Sequence, residues 1–140
     1  MIEIGGEIKA SGYNKEGLGW MIGIQNPASD IVTPLLEIQL VNMSLATSGN
    51  YRNYYDIDGK KYSHIISPLT GYPIDNNILS VSVLSNDCIN ADALATALML
   101  YEPNKGVEFI EKIDKTEVLY ILEDNSVLYS NGFESYFSEK

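Results

Sequence analysis

An α+β fold with a mainly antiparallel sheet is the architecture this sequence predicts. Three observations carry that reading. Short β-patterned runs follow one another from the first residues to Leu84. Two helical stretches, Asp87 to about Tyr101 and Pro103 to about Ile113, then stand next to each other. A strand hairpin around Glu123-Asp124-Asn125-Ser126 closes the pattern. The 140 residues are 45% hydrophobic and fit a single domain, 1–140, long enough to bury a core. The sequence contains no internal repeat, low-complexity tract or dividing linker.

Ile2–Ala10 reads as a strand interrupted at Gly5-Gly6, where a bulge or a close backbone approach is expected. Strand signal in the second residue is unusual for a chain start. It suggests that the chain begins inside something larger. Gly12–Gly17 is turn-like, Trp20–Ile24 a strand and Asn26–Asp30 a loop. Leu35–Val41 and Leu45–Gly49 are the third and fourth strands, and Asn50–Tyr55, rich in tyrosine, is ambiguous. Asp58-Gly59 signals a turn, followed by a strand over Lys60–Ile66. Ser67–Pro73 holds two prolines and a glycine and cannot be regular structure. Leu79–Leu84 is a β-branched strand. Asp87 suits the N-cap of the first helix, and Pro103 suits the first turn of the second. Glu117–Leu122 and Val127–Tyr129 form the closing hairpin.

Charge narrows the function classes. Nineteen acidic residues against nine basic ones give a net charge of −10. That argues against nucleic-acid binding, which needs a basic patch. A phosphate-bearing ligand would need a metal ion, a helix N-terminus or backbone amides to overcome the same field. Cys88 is the only cysteine. It excludes an internal disulfide and a cysteine zinc site, and reads as a small buried residue. No apolar run reaches the roughly 18 residues of a membrane span, and no signal peptide precedes the first strand, so a soluble chain is expected.

Asn90–Leu100 is apolar almost all round, as buried helices are. Asp92 and Thr96 interrupt it on one face, four residues apart. A carboxylate buried there needs a partner. Two readings stand. The pair offers two oxygens to a hard cation such as Mg²⁺, or Thr96 bonds the carbonyl of residue 92 and Asp92 accepts from a tyrosine or backbone amides. His64, the only histidine, sits at a predicted strand end beside a Pro- and Gly-rich loop, a usual place for active-site residues. It suits a general base, or a ring satisfied at the sheet edge. Glu7 meets a ligand or faces solvent. The Ala46–Asn50 loop, with Thr47, Ser48 and Gly49, cradles a phosphate or simply turns the chain. The ten tyrosines more often edge a core than stack bases.

Taken together, six segments resemble one family. They are Ile4-Gly5-Gly6-Glu7-Ile8, Gly19-Trp20 with Gly23-Ile24-Gln25-Asn26-Pro27, Ala46-Thr47-Ser48-Gly49-Asn50-Tyr51, Tyr62-Ser63-His64-Ile65-Ile66, Thr70-Gly71-Tyr72-Pro73 and Ala91–Ala97. In this order and spacing they resemble the C-terminal half of the ApbE-like FAD:protein FMN transferases. The resemblance covers nearly the whole chain. It implies half of the flavin transferase fold, with FAD as substrate and Mg²⁺ as metal. The implied reaction transfers FMN to a threonine or serine hydroxyl of an acceptor flavoprotein and leaves AMP; some members hydrolyse FAD instead. It assigns Asp92 and Thr96 to the metal at the FAD pyrophosphate. His64 would lie near the scissile phosphate as base for the acceptor hydroxyl. Ile65 and Ile66 would lie against the flavin, and Glu7, Thr47, Ser48 and Gly49 along the FAD cleft.

Two departures qualify what the resemblance implies. Ser67 stands where the family has aspartate, which weakens any role of that residue in orienting His64 or adding charge near the metal. The family's N-terminal half is absent. Its Lys-Gly-rich segment supplies a metal-binding carbonyl, a lysine near the phosphates and much of the adenine pocket. Three expectations follow: a flavin transferase completed by a half carried elsewhere, even on another chain; a remnant that hydrolyses FAD or only binds flavin or metal weakly; and a homodimer through the exposed sheet edge at Met1–Ala10. Bacterial members carry a lipoprotein signal, which implies an extracytoplasmic, membrane-associated setting.

Overall fold

The computed structural model describes residues 1–27, 33–50, 54–57 and 60–138. In chain order these form β1 (Ile2–Ile4), β2 (Glu7–Lys9), β3 (Trp20–Gln25), β4 (Pro34–Leu40), β5 (Ser44–Gly49), β6 (Tyr54–Ile57), β7 (Lys60–Ser63), β8 (Ile78–Ser85), α1 (Cys88–Leu98), α2 (Pro103–Ile110), β9 (Glu117–Leu122), β10 (Val127–Tyr129) and a 3₁₀ turn, Phe133–Tyr136. A six-stranded sheet runs β1-β2-β5-β8-β9-β10, and each neighbouring pair is antiparallel. β3 and β4 pair separately, as do β6 and β7. The expected α+β class holds.

The sheet is covered on both faces. On one, Ile8, Leu45, Leu84, Leu119 and Ile121 pack with Ile22, Ile24, Ile38 and Leu40 of the β3–β4 pair. On the other, Ala46, Val81, Val83, Val118 and Tyr120 pack with Ala91, Ala95 and Leu98 of α1 and Ile110 of α2. Successive residues of a strand point to opposite faces. Val118 and Tyr120 therefore meet the helices while Leu119 and Ile121 meet the β3–β4 pair. A strand buried on both faces reads as a continuous apolar run, as Val118–Ile121 does.

Several boundaries differ from expectation for identifiable reasons. The single interrupted strand over Ile2–Ala10 is instead a hairpin, with Ile4 opposite Glu7. Gly5 (φ 70°) and Gly6 (φ 110°) both take positive φ, which a tight two-residue turn of this kind requires. As expected, β1 lies at the edge of the sheet, where Ile2 and Ile4 are exposed. β7 stops at Ser63, so His64 stands just past the strand. α1 ends at Leu98 and α2 at Ile110, each three residues short of the reading. Asp87 occupies the N-cap of α1, but its side chain makes no capping hydrogen bond; Glu102 does cap α2, accepting from the Asn104 amide at 3.2 Å. The Asp58-Gly59 turn, residues 51–53 of the tyrosine-rich stretch and part of the Asn26–Asp30 loop lie outside the described residues.

The largest correction concerns α1, which was expected to be buried all round. Only Ala91, Ala95 and Leu98 are buried on it, and Asp92 and Thr96 are exposed. Its apolar character comes largely from alanine, whose methyl group has little surface to hide. Asp92 is therefore solvated, and no buried charge demands a partner.

Candidate active-site cleft

The cleft is built at one end of the sheet. Glu7 follows the Gly5-Gly6 turn, and its carboxylate folds back over the turn: a β-carbon on Gly5 would stand 2.9 Å from Glu7 Oε2. The positive φ is what requires glycine at Gly5, since the Glu7 side chain can move aside. β5 then presents its residues alternately to the two faces. Thr47 Oγ1 lies 2.8 Å from the hydroxyl of its cross-strand partner Ser82, which is buried. Ser48 turns the other way, and its hydroxyl lies 2.8 Å from Thr96 Oγ1 on α1. Asn50 and Ser63 hold the ends of β5 and β7 together, with Ser63 Oγ donating to Asn50 Oδ1 at 2.6 Å.

Glu7, Thr47, Ser48, Gly49 and His64 line one cleft of about 510 Å³, together with Glu3, Gly5, Gly6, Ile8, Leu45 and the β3 residues Ile22 to Gln25. That volume lies in the range of small-molecule sites. Ile8, Ile22, Ile24 and Leu45 give it an apolar wall, while Glu3 and Glu7 give it negative charge. Sequence reading did not assign the β3 residues to the site. The available signal was Gly23 inside a strand, which marks a close approach.

The remaining predicted residues lie around this cleft rather than in its lining. Ile65 is buried in the core beneath the helices, and Ile66 is half exposed in a bridge with Pro73. Asp92 and Thr96 are exposed on α1, and Thr96 reaches β5 through its hydrogen bond with Ser48, which lines the cleft. Among the described residues, no three His, Cys, Asp or Glu side chains gather closely enough to hold a metal ion by themselves. The donors here are hard oxygens, a carboxylate and a hydroxyl one helical turn apart. They suit Mg²⁺, which commonly takes one or two protein groups and completes its shell with phosphate oxygens and water. The Thr96 hydroxyl can bond Ser48 and still offer a lone pair.

Cys88 is half-buried at the start of α1, not fully buried as expected, with its thiol 4.0 Å from the carbonyl of Ile8. Burial raises its pKa, and the Glu7 and Asp92 carboxylates push the same way. The thiolate is the reactive form. Asp92→Asn is therefore expected to lower the thiol pKa and speed iodoacetamide alkylation of Cys88 at pH 8. Mass spectrometry of timed samples checks this, and an unchanged rate would remove Asp92 from the field at the cleft rim.

With this geometry established, comparison with known proteins gives the family. A sequence model of the ApbE family matches residues 1–120. The chain belongs to the ApbE family. It is 42% identical over 138 residues to the FAD:protein FMN transferase of Vibrio cholerae, covering 99% of this chain and 40% of that protein. The FAD:protein FMN transferase of Escherichia coli K12 is 38% identical over 112 residues, 80% of this chain and 32% of that one. Among solved structures, the ApbE protein of Thermotoga maritima superposes with a TM-score of 0.83 at 32% identity, covering 98% of this chain and 44% of that chain. The flavin transferase ApbE of Vibrio cholerae gives a TM-score of 0.79 at 39% identity, over 96% of this chain and 43% of that chain. The chain thus spans less than half the length of these ApbE relatives.

Proposed function

We propose that this chain carries part of the active site of an Mg²⁺-dependent FAD:protein FMN transferase. The observation that carries the reading is the convergence of Glu7, Thr47, Ser48, Gly49 and His64 on one cleft, joined through Ser48 to the Asp92–Thr96 pair. The names of the relatives agree with it.

In this reading Asp92 and Thr96 hold Mg²⁺, which neutralises pyrophosphate charge when bound. Phosphoryl-type transfer rests mainly on positioning and charge neutralisation. Glu7 and the Thr47–Gly49 segment orient FAD along the cleft, and Ile65 and Ile66 support the flavin. His64 accepts the proton of the acceptor threonine or serine hydroxyl. That oxygen bonds to the FMN phosphorus, the phosphorus–oxygen bond to AMP breaks, and AMP leaves. The acceptor is a flavoprotein, and the rest of the relatives' fold completes the site from sequence beyond residues 1–140, on the same chain or another. Pairing of two copies through β1 is an alternative use of the sheet edge. An extracytoplasmic, membrane-associated setting follows from the family resemblance alone. Among the described residues no helix is long and apolar enough to cross a membrane.

Ser67 favours a second reading, in which the chain hydrolyses FAD or binds it without turnover. Its hydroxyl accepts from the Leu69 amide at 3.3 Å, within its own turn, and it brings no charge to His64.

The test is AMP release, followed by chromatography, from FAD and Mg²⁺. The chain is assayed alone and with the complementary half of the Vibrio cholerae relative supplied in trans. AMP with FMN attached to an acceptor peptide is the expected result. AMP with free FMN selects the hydrolytic reading. No AMP in either arm overturns catalysis.

A further inference from the structure

We propose that Asn50 and Ser63 are a positioning pair that fixes the backbone carrying His64 at the cleft mouth. The inference deepens the reading above and rests on it for the role of His64. The Ser63 hydroxyl donates to Asn50 Oδ1 at 2.6 Å and accepts from the Ile65 amide at 3.1 Å. Asn50 is itself held on its other side. Its side-chain amide donates to the Ile78 carbonyl at 3.3 Å, and its backbone amide donates to the Leu79 carbonyl at 3.0 Å. The result is a continuous path from β8 through Asn50 and Ser63 to the residue after His64.

The path has a reason to exist. Among the described residues the β6–β7 pair is separate from the six-stranded sheet, and no ladder hydrogen bond from that sheet fixes the end of β7. His64 lies one residue beyond that end and is exposed, while Ser63 and Ile65 on either side of it are buried. A base is aimed no better than its backbone is held, and misplacement of about 1 Å can cost about 100-fold in rate. A buried hydroxyl that both donates and accepts supplies that constraint without charge.

Four variants of the full chain test this. Ser63→Ala and Asn50→Ala break the path; Ser63→Thr and Asn50→Gln keep its chemistry. His64 is the only histidine, so its ring signals are unique in an NMR spectrum. The first readout needs no ligand. Exchange of the Ile65 amide is expected to quicken about fivefold in Ser63→Ala, the weight of one hydrogen bond, and by less in Asn50→Ala, where the Ser63 hydroxyl stays but loses its anchor. The His64 amide should become more mobile. Val83 and Leu119 in the core should keep their protection, and Ser63→Thr should match the parent chain. Unchanged Ile65 exchange and His64 mobility in both alanine variants would overturn the pair. The second readout adds FAD with Mg²⁺. The shift of the His64 ring signals should shrink in the alanine variants and return in Ser63→Thr. A full shift despite a loosened backbone overturns the positioning role. If FAD moves no His64 signal in the parent chain, the proposed function fails, and the amide data alone decide whether the pair holds the His64 backbone.

Discussion

Asp92→Ala is expected to lower Mg²⁺-dependent AMP release by at least about 100-fold, while the folded state keeps its stability to within about 0.5 kcal/mol. The two halves of this expectation come from one fact. Asp92 lies on the exposed face of α1, so its carboxylate is not part of the core. Removing it leaves no cavity and strands no buried partner. Its effect on activity has a different source. The protein carries a net charge of −10, and Glu3 and Glu7 line the cleft. A ligand with a pyrophosphate is repelled there unless a cation intervenes, and Asp92 is the charged member of the proposed metal pair. Thr96→Ala removes a neutral donor and should cost less. AMP release measured across Mg²⁺ concentrations, beside a thermal melt, checks both parts. Unchanged metal dependence would sink the assignment of Asp92, and a large loss of stability would contradict its exposure.

Gly106→Ala should have the opposite signature, a destabilisation of about 1–3 kcal/mol. Gly106 is a buried position of α2 packed on β9. A β-carbon built on it would lie 1.8 Å from the Tyr120 hydroxyl and 2.9 Å from Cζ of the same ring. Glycine is a poor helix residue, less favourable than alanine by about 1 kcal/mol. It stands here because the phenol of the neighbouring strand occupies the space. That phenol is fully buried and has no hydrogen-bond partner among the described residues. Burial raises its pKa well above the ordinary tyrosine range, with Glu102 and Tyr101 adding to the shift. Tyr120→Phe should therefore hold or raise stability, by up to about 1–2 kcal/mol, because an unsatisfied buried hydroxyl is removed. The double variant should recover part of the loss, since Cζ remains close. The sign of the pH dependence follows. Because the folded pKa is the raised one, the contribution of neutral Tyr120 is complete below about pH 10 and is lost as pH climbs towards the folded value. Denaturant titrations of the four chains measure the coupling. An unaffected Gly106→Ala chain would overturn the packing described.

The two substitutions also mark how much was legible. Asp92 and Thr96 were visible in the sequence as a polar pair at helical spacing. Their burial was misjudged because an alanine-rich helix looks the same to composition whether it is enclosed or laid on a sheet. The Gly5-Gly6 interruption was visible, but its conformation as a hairpin turn depends on β1 and β2 pairing with each other, Ile4 opposite Glu7, rather than running on as one strand. The role of Gly23 at the cleft wall depends likewise on packing between the β3–β4 pair and the sheet. Gly106 gave no signal, since its reason is the position of Tyr120. The aromatic cluster of Tyr129, Phe133 and Phe137, with the first and last rings 5.5 Å apart edge to face, lies largely beyond the last strand that was read.

By itself the sequence determined the α+β class, the order of most strands, the two adjacent helices and the motif set that resembles the ApbE family. Those features are written locally, in side-chain period, in turn residues and in short motifs whose order survives without coordinates. Only the tertiary structure decided that Glu7, Thr47, Ser48, Gly49 and His64 share a cleft, that Asp92 is solvated, and that Asn50 and Ser63 hold the residues flanking His64. These are contacts between residues distant in the chain, and a side chain's solvation depends on what packs over it, which its neighbours in sequence do not specify.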